Sequence, residues 1–295
     1  MQSLGFIGTG IMGKPMAKNL IKAGDSLIVY DLNPEPLIEL KKEGAEIAAS
    51  ITEIAQCCNT IITMLPNSSQ SEEVIISDKG IIKSAKSGTI VIDMSSIDPI
   101  VSIKIGKKLS IEGIDFLDAP VSGGEIGAIE GTLAIMVGGK KEVFDKAVPI
   151  FKVLGSTYIL VGELGAGNFT KLANQIIVAV NIAAVSEAMI LVKKAGLSPN
   201  TVYNAIKGGL AGSKVLDNKV PMMISRNFKP GFKIKLHQKD LQNVLNVGTF
   251  LNIPLPLTAQ LLEMLKSLTS LGNGEIDHSG IIKFYENISE VVLVE

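Results

Sequence analysis

The residue with the clearest chemical potential is Lys171, which lies in the segment GNFTKLANQ at the start of a nearly uncharged run, IIVAVNIAAVSEAMILV. On a helix, Asn168 lies about one turn before this lysine, while Asn174 and Gln175 lie three and four residues after it. We therefore predict that the ammonium group and the amides converge on one site. The alternative is a lysine at a helix end that extends its charge to water, and the flanking amides favour the site.

A glycine-rich segment, GFIGTGIMGKPM, contains the pattern Gly8-x-Gly10-x-x-Gly13 between a predicted strand and a predicted helix. In such a turn, the first glycine permits a tight bend, the second lets the backbone approach a pyrophosphate, and the third allows close helix packing. The run LIVYD ends in Asp31, about 20 residues further on, where a carboxylate can accept hydrogen bonds from a ribose. These features predict a dinucleotide site, against the alternative that Asp31 is a solvated turn residue.

A second turn, in the segment DAPVSGG, offers the hydroxyl of Ser122 and the unhindered backbone amides of Gly123 and Gly124. Such a turn suits a carboxylate or another small oxyanion. A flexible loop between two strands is an equally good interpretation from composition alone, because serine and glycine are ordinary turn residues. The polar cluster around Lys171 favours the anion site.

Other candidate residues carry weaker signals. Lys239, in HQKDLQN, is an exposed helical lysine on its sequence alone. His237 and His278 are far apart in the sequence, and no cluster of Cys, His or carboxylate residues has metal-ligand spacing, so no metal is predicted. Cys57 and Cys58 are adjacent, which is poor placement for a disulfide, so we predict reduced thiols with a structural role.

Composition narrows the class of function. The net charge is -1 and the pI is about 6.2, without blocks of lysine or arginine, which argues against a nucleic-acid or acidic-membrane partner. The opening MQSLGFIG lacks the basic region and cleavage site of a secretory signal, and the apolar run from Ile176 is interrupted by Asn181, Ser186 and Glu187. We expect a cytoplasmic protein that acts on a small molecule.

The elements that must position these residues fall into two groups. The first half alternates helical stretches with seven β-rich runs: LGFIG, LIVYD, TIITML, TIVIDM, DFLDAPV, LAIMVGG and TYILVG. This alternation is typical of a mostly parallel sheet covered by helices. Strand signals stop after VGELGAG, and the rest is predicted to be helical. We therefore predict an α/β fold, with a Rossmann-like doubly wound sheet in residues 1–162 followed by an all-α domain in residues 163–295.

Five of these segments occur in the order found in one family. The glycine loop GFIGTGIMGKPMAKNL, then DMSSIDP, DAPVSGG, GAGNFTKLANQ and KDL resemble the β-hydroxyacid dehydrogenases, and the resemblance covers essentially the whole chain. GGLAGSKVLDNK, RNFKPGFKIKLHQKDL and PLPLTA are more similar to the branch that reduces tartronate semialdehyde (2-hydroxy-3-oxopropionate) to glycerate than to the branch that oxidises 3-hydroxyisobutyrate. The resemblance implies a lysine-assisted dehydrogenase or reductase that uses a nicotinamide cofactor.

The resemblance also implies roles for individual residues. The residues expected at the cofactor are Gly8, Gly10, Ile11, Met12, Gly13, Asp31, Leu65, Pro66, Ser96 and Lys239. Ser122, Gly123, Gly124 and Asn174 are expected to bind the substrate, with Gln175 as a less certain helper. Lys171 is expected to act as general acid and base at the carbonyl oxygen. Since an ordinary lysine has a pKa of about 10.4, partial burial that lowers the pKa would help it at pH 7.

The cofactor is predicted to be NAD, with NADH preferred and NADP not excluded. Asp31 can accept hydrogen bonds from both ribose hydroxyls of NAD but would repel a 2′-phosphate, and Leu32–Pro34 bring no positive charge. The one arginine, Arg226, lies in the helical half, whereas Lys41 and Lys42 come one helix after Asp31.

Several alternatives remain open at this point. The expected partner is a three- to four-carbon semialdehyde or hydroxy acid, in a homodimer or homotetramer. The alternative activities are those of a 3-hydroxyisobutyrate dehydrogenase and a succinic semialdehyde reductase. A cofactor-binding interaction module without turnover is the alternative outside the enzymes. Lys171 and Asn174 argue against such a module, because binding alone needs no ammonium group there.

Overall fold

The computed structural model describes residues 4–295; residues 1–3, which open the segment MQSLGFIG and the predicted first domain, lie outside the described residues. The chain divides into two compact units, Met1–Lys171 and Leu172–Glu295. The last strand of the first unit ends at Gly162, where we placed the end of the first domain. That domain boundary stays a prediction.

The first unit is built around one sheet. Its strands among the described residues are β1 (Leu4–Ile7), β2 (Leu27–Tyr30), β3 (Glu46–Ile47), β4 (Thr60–Thr63), β5 (Ile90–Asp93), β6 (Asp115–Asp118), β7 (Val121–Ser122), β8 (Leu133–Gly138) and β9 (Gly155–Gly162). The order is β3-β2-β1-β4-β5-β6-β8-β7, with β9 paired to β8. The first six strands pair in parallel, whereas β8 is antiparallel to β6 and β7. This order confirms the predicted doubly wound, Rossmann-like sheet.

Two details of the strand prediction need correction. The run DFLDAPV was predicted as one strand, but it forms β6 and β7. Pro120 cannot donate a ladder hydrogen bond, and beyond it Val121 and Ser122 pair antiparallel with β8. The two-residue strand β3 was not predicted, because two exposed residues are too few to show an alternating pattern.

Helices cover both faces of this sheet. They are α1 (Gly13–Lys22), α2 (Pro34–Lys42), α3 (Ile51–Cys57), α4 (Ser68–Ile76), α5 (Pro99–Ile111), α6 (Gly124–Glu130) and α7 (Lys141–Leu154), with a 3₁₀ turn at Ile81–Lys83. Successive strand residues enter different cores: Phe6 packs in one with Ile62, and Ile7 packs in the other with Ile61. Because both faces are covered there, the central strands β1 and β5 are buried along their whole length and show no alternation of buried and exposed residues.

Helices also form the second unit. They are α8 (Ala166–Lys194), which begins in the first unit, α9 (Pro199–Ile206), α10 (Lys214–Ile224), α11 (Ile234–Leu251), α12 (Pro256–Ser270) and α13 (Ile282–Ser289), with a 3₁₀ turn at His278–Ile281. Ile182, Val185 and Met189 recur at helical spacing on α8 and pack with Leu241 and Leu265 in one core. The predicted helical second part is confirmed.

Helix α8 is the one element among residues 4–295 that is long and apolar enough to cross a membrane, with a mean hydropathy of 2.0 in its most apolar window. Half of that window is buried within the protein. Since the core helix of a globular protein has the same length and composition, this helix is weak evidence for a membrane span.

Candidate active site

The predicted cofactor residues of the first unit follow the carboxyl ends of parallel strands. The glycine loop follows β1, Asp31 follows β2, Leu65 and Pro66 follow β4, and Ser96 follows β5. Since these strands are parallel, their carboxyl ends lie at one edge of the sheet. Strand β1 lies between β2 and β4, where the strand order reverses, and ligands of doubly wound sheets bind at such a point.

The three glycines of the first loop meet three different environments. A Cβ at Gly8, whose φ is +95°, would overlap the carbonyl oxygen of Met64, and a Cβ at Gly13 would overlap that of Gly8. A Cβ at Gly10 would meet no atom within 4 Å, so this glycine faces open space. The loop therefore needs Gly8 and Gly13 for its own fold. At Gly10 it leaves room for a close approach of a ligand to the backbone, which fits a dinucleotide pyrophosphate.

The rest of the glycine loop also fits an anion. Ile11 is exposed, and Met12 is the N-cap of α1, where its side chain makes no capping hydrogen bond. The loop borders a cavity of about 570 Å³, whose lining includes Thr9, Gly10 and Ile11. An extended ligand can therefore lie along the loop and the start of α1.

Asp31 is tied to the glycine loop. Its Oδ2 accepts hydrogen bonds from the backbone N–H of Thr9 at 2.6 Å and from the Thr9 hydroxyl at 3.2 Å, while its Oδ1 accepts from the N–H of Asn33 at 2.8 Å. A carboxylate has about four lone-pair directions, so these bonds leave acceptor capacity for a ribose hydroxyl.

Two of the lysines that line the cavity beside the glycine loop are paired with carboxylates. Lys14 and Lys18 line the same cavity, and they form ion pairs with Glu39 at 3.0 and 3.8 Å. Lys18 also pairs with Glu43, at 3.2 Å. Arg226, in the second unit, forms a two-point ion pair with Glu286.

The loops after β4 and β5 are held by a buried network that the sequence analysis missed. Asp93 Oδ1 accepts from the Thr63 hydroxyl at 2.9 Å and from the N–H of Ser95 at 3.1 Å, and Ser95 Oγ accepts from the N–H of Leu65 at 2.7 Å. Burial raises the pKa of Asp93, despite the hydrogen bonds from Ser95 and Thr63 that lower it. The network therefore fixes the backbone that carries the predicted cofactor residues Leu65, Pro66 and Ser96.

Asp118, at the end of β6, anchors the start of α8. Its Oδ1 accepts from the N–H of Gly165, and its Oδ2 accepts from the N–H of Asn168, both at 2.7 Å. The side chain is fully buried, and burial raises its pKa to about 7 although both N–H donors lower it. A Cβ at Gly138 or Gly167 would overlap Asp118. These glycines allow the strand and the helix to meet.

Lys171 lies one turn beyond this anchor and is buried, with 7% of its surface exposed. Asn168, whose amide was expected to converge with the lysine, is engaged elsewhere: its Oδ1 accepts from the N–H of Ile97, and its Nδ2 donates to Ser102 Oγ, both at 3.0 Å. Asn168 therefore joins α8 to the loop after β5. Its part in the predicted polar cluster is structural.

The amides that follow the lysine form a chain of hydrogen bonds in the second unit. Asn174 Nδ2 donates to Gln175 Oε1 at 2.9 Å, and Gln175 Nε2 donates to Asp240 Oδ2 at 2.6 Å. Asp240 is buried, and its Oδ1 lies 3.0 Å from Lys239 Nζ. The two predicted residues Asn174 and Lys239 are thus linked through Gln175 and Asp240.

The predicted anion turn has an unusual backbone. Ser122 ends β7, and Gly123 and Gly124 follow with φ of +139° and +64°. A Cβ at Gly124 would meet no atom within 4 Å. Two successive glycines with positive φ, one of them facing open space, can turn their amides toward a small anion.

The two histidines are neighbours in the structure although they are far apart in the sequence. His278 Nδ1 lies 3.0 Å from His237 Nδ1, although 41 residues separate them in the chain. Among residues 4–295, no group of three or more Cys, His, Asp or Glu side chains is arranged to hold a metal ion. Cys57 and Cys58 are both free thiols, and burial of Cys58, together with its neighbour Cys57, raises its pKa to about 11.

Two family models together match most of the chain. A family model described as the NAD binding domain of 6-phosphogluconate dehydrogenase matches residues 3–162. A second model, described as NAD-binding of NADP-dependent 3-hydroxyisobutyrate dehydrogenase, matches residues 165–285. Both halves of the chain thus resemble parts of nicotinamide-dependent dehydrogenases.

Individual proteins are similar over nearly their full length. The chain is 45% identical over 285 residues to 2-hydroxy-3-oxopropionate reductase of Escherichia coli (strain K12), covering 96% of this chain and 97% of that protein. It is 37% identical over 289 residues to 2-(hydroxymethyl)glutarate dehydrogenase of Eubacterium barkeri, covering 98% and 96%. The crystal structure of 3-hydroxyisobutyrate dehydrogenase from Salmonella typhimurium matches with a TM-score of 0.87 at 30% identity, covering 96% and 99%.

Proposed function

Because the chain belongs to the β-hydroxyacid dehydrogenase family of nicotinamide-dependent oxidoreductases, we propose that it reduces 2-hydroxy-3-oxopropionate (tartronate semialdehyde) reversibly to glycerate with NADH. The observation that carries this proposal is the buried Lys171 on α8, one turn beyond the point where Asp118 holds the helix. Burying an ammonium group costs free energy, so a buried lysine is a candidate functional residue. The likeness to the Escherichia coli reductase supports the choice of substrate.

Lys171 is the general acid and base of the proposed reaction. When bound, the reduced nicotinamide supplies the hydride for the aldehyde carbon. Lys171 holds a proton at Nζ, stabilises the negative charge that grows on the aldehyde oxygen, and then delivers the proton. In the oxidative direction, the neutral amine takes the proton from the alcohol. Burial of the lysine excludes water from the proton that it transfers.

The substrate carboxylate is bound by Ser122 and by the amides of Gly123 and Gly124. The open space beside Gly124 and the positive φ of both glycines support this role. Asn174 orients the reacting end of the molecule, and its bond to Gln175 fixes the rotamer of its amide.

The cofactor lies along the glycine loop, with the ribose at Asp31. Gly8, Gly10, Ile11, Met12, Gly13, Leu65, Pro66, Ser96 and Lys239 complete the proposed cofactor site. Preference for NADH follows from Asp31, because its carboxylate would repel a 2′-phosphate and the nearby lysines Lys14 and Lys18 are paired with Glu39. The ratio of kcat/KM for NADH and NADPH measures this preference.

The second candidate is a 3-hydroxyisobutyrate dehydrogenase, favoured by the Salmonella typhimurium structure at 30% identity. The two substrates differ at C2, where one carries a hydroxyl and the other a methyl group. A site that hydrogen-bonds a substrate hydroxyl strongly rejects the analogue that lacks it, because its own polar groups are left unpaired. We expect Asn174, which is proposed to lie at the reacting end of the molecule, to favour the hydroxyl substrate.

A panel of semialdehydes tests both candidates. The purified protein is assayed with NADH and with 2-hydroxy-3-oxopropionate, 2-methyl-3-oxopropionate or succinic semialdehyde, and kcat/KM is compared. Lys171→Ala is the background control, since any turnover that survives in it arises elsewhere. A higher kcat/KM for either of the other two aldehydes would refute the proposed substrate. The protein is proposed to be cytoplasmic. It is also proposed to be a homodimer or homotetramer, and light scattering after size exclusion would measure this oligomeric state.

A further inference from the structure

The two histidines of the chain form a buried pair in the second unit. They are the only histidines in the sequence. His237, on α11, is 2% exposed, and His278, in the 3₁₀ turn, is 7% exposed. Phe232 packs edge-on against both rings, with centroid distances of 5.6 and 5.4 Å. The pair is therefore buried and packed against an aromatic ring, where its hydrogen bonds have little competition from water.

The contacts of His237 determine where its proton lies. Its Nε2 is 3.4 Å from the backbone carbonyl oxygen of Gln175, and a carbonyl only accepts hydrogen bonds. Nε2 therefore carries the hydrogen, and in the neutral ring Nδ1 keeps its lone pair. The Nδ1 atoms of the two rings are 3.0 Å apart, so His278 Nδ1 must be the donor between them.

This assignment limits the positive charge that the pair can hold. A proton on His278 leaves both hydrogen bonds intact, because that ring still donates from Nδ1. A proton on His237 Nδ1 as well would place two N–H groups against each other at the 3.0 Å contact. The intact pair therefore accommodates one positive charge and not two.

Charged groups surround the pair on the elements packed near it. They are Asp277 with Lys219, Lys233 with Glu275, and Asp240 with Lys239. Burial raises the pKa of Asp277, but the charges of His278 and Lys219 outweigh it and lower the pKa to about 2. Asp277 also accepts N–H bonds from Gly231 and Phe232, at 3.0 and 3.1 Å. A charged Asp277 thus sits beside His278 and holds the loop that encloses both rings.

The carbonyl that His237 contacts belongs to the residue at the centre of the amide chain. Gln175 is held twice from α11: its backbone by His237 at 3.4 Å, and its side chain by Asp240 at 2.6 Å. Its Oε1 in turn accepts from Asn174. A change at His237 therefore removes one of the two contacts through which α11 holds Gln175, whose side chain accepts the Asn174 amide.

We propose that the His237–His278 pair is a proton-dependent positioning element for the Asn174–Gln175 turn: with one proton or none in excess it holds the turn, and a second proton releases it. Neither histidine touches the reacting atoms. The inference rests on the proposed function in that Asn174 is taken to bind substrate. As pH falls, the KM for the semialdehyde rises while the KM for NADH stays constant.

Two substitutions separate positioning from mere support of the fold. In His278→Asn, the amide replaces Nδ1–H as the donor to His237 and can rotate to accept from a protonated ring. This variant keeps a low KM and loses its rise at acid pH. In His278→Leu the donor is absent, and the KM for the semialdehyde is about 3- to 10-fold higher at all pH values, as expected for one lost hydrogen bond. Thr269→Val, which removes the 2.8 Å bond to Gln238 on α11, is the control and leaves KM unchanged.

Nitrogen NMR on the wild type tests the pair without reference to turnover. With ¹⁵N-histidine and ¹⁵N-glutamine labels, we expect an Nε2–H tautomer at His237, an Nδ1–H at His278, and a through-hydrogen-bond coupling between the two Nδ1 atoms. On acidification the coupling disappears, and the Gln175 amide resonances shift at the same pH; in His278→Asn they do not. Absence of the coupling at alkaline pH, or an equal acid response in His278→Asn, overturns the proposal. No turnover with any semialdehyde, with this titration present, overturns only the proposed function.

Discussion

Replacing Asp118 by asparagine tests the anchor that fixes the lysine-bearing helix. The amide keeps one oxygen for the N–H of Gly165 or of Asn168, but its NH₂ group then faces the other N–H at a site that is fully buried. Leaving one buried backbone N–H unpaired costs about 1–3 kcal/mol, so we expect the variant's free energy of unfolding to be ~2 kcal/mol lower than that of the wild type at pH 5. The turn that leads to Lys171 loses one of its two hydrogen bonds to this side chain, and we expect kcat to fall with it.

The size of this loss depends on pH, because the substitution removes a titrating group. The pKa of Asp118 is raised to about 7 in the folded protein, so between its ordinary value of 3.8 and 7 the folded state binds the proton more tightly than the unfolded state. The wild type therefore loses stability as pH rises through this window. Between pH 5 and 8 the free energy of unfolding of the wild type falls by ~2.5 kcal/mol, at about 1.4 kcal/mol per pKa unit. The asparagine variant lacks this dependence. The difference in free energy of unfolding between the wild type and the variant therefore falls to about zero by pH 8.

Urea unfolding at pH 5, 6, 7 and 8, followed by circular dichroism, measures both quantities. Asp115→Asn is the matched control, because Asp115 lies on the same strand but forms a surface ion pair with Lys140 at 3.1 Å. Such pairs contribute about 0–1 kcal/mol. A difference between wild type and Asp118→Asn that stays constant from pH 5 to 8 would refute the reasoning, since the carboxylate would then be ionised throughout and stabilised by its two N–H donors.

The remaining predictions concern the proposed chemistry. Lys171→Ala should lower kcat by about 10²- to 10⁴-fold with the fold intact, and a variant that keeps more than about a tenth of kcat would exclude the acid-base role. Ser122→Ala should raise the KM for the semialdehyde with little change in the KM for NADH. Gly123→Val should raise the KM for the semialdehyde further, because φ is +139° there. Equal losses of NADH affinity would assign this turn to the cofactor. Asp31→Ser with Leu32→Arg should shift kcat/KM toward NADPH, while a wild type that already prefers NADPH would show that Asp31 does not exclude the phosphate.

The fold could be predicted from the sequence because its signals are local. Short apolar runs alternate with helical stretches in the first half and disappear after Gly162, and this pattern sets the sheet and the helical part. The resemblance to β-hydroxyacid dehydrogenases rested on five ordered motifs, and the comparisons confirm it. The glycine loop and Asp31 follow from the same local patterns, whereas Leu65, Pro66 and Ser96 were implied only by the family resemblance.

The supporting contacts could not be predicted, because they join residues that are distant in the chain. Asp118 binds the N–H of Asn168, 50 residues later, and His237 meets His278, 41 residues later. For Asn168, sequence periodicity predicted the helix correctly. The expectation that its amide converges with Lys171 was wrong, since the amide binds Ile97 and Ser102. A polar side chain on an apolar helix marks a contact, but its partner is set by tertiary packing.

Two neighbouring strand ends determine the geometry of the proposed site in the first unit. Asp93 and Asp118 are register partners in the β5–β6 ladder, and both are fully buried carboxyls. Asp93 holds Ser95 and thereby the Leu65 loop, whereas Asp118 holds the start of α8 and thereby Lys171. The distance from the proposed cofactor loops to the lysine therefore depends on the register of this strand pair, together with the bonds that join Asn168 to Ile97 and Ser102. A rigid sheet imposes that distance more tightly than loop sequences can, and this explains why two costly buried acids lie side by side at this edge.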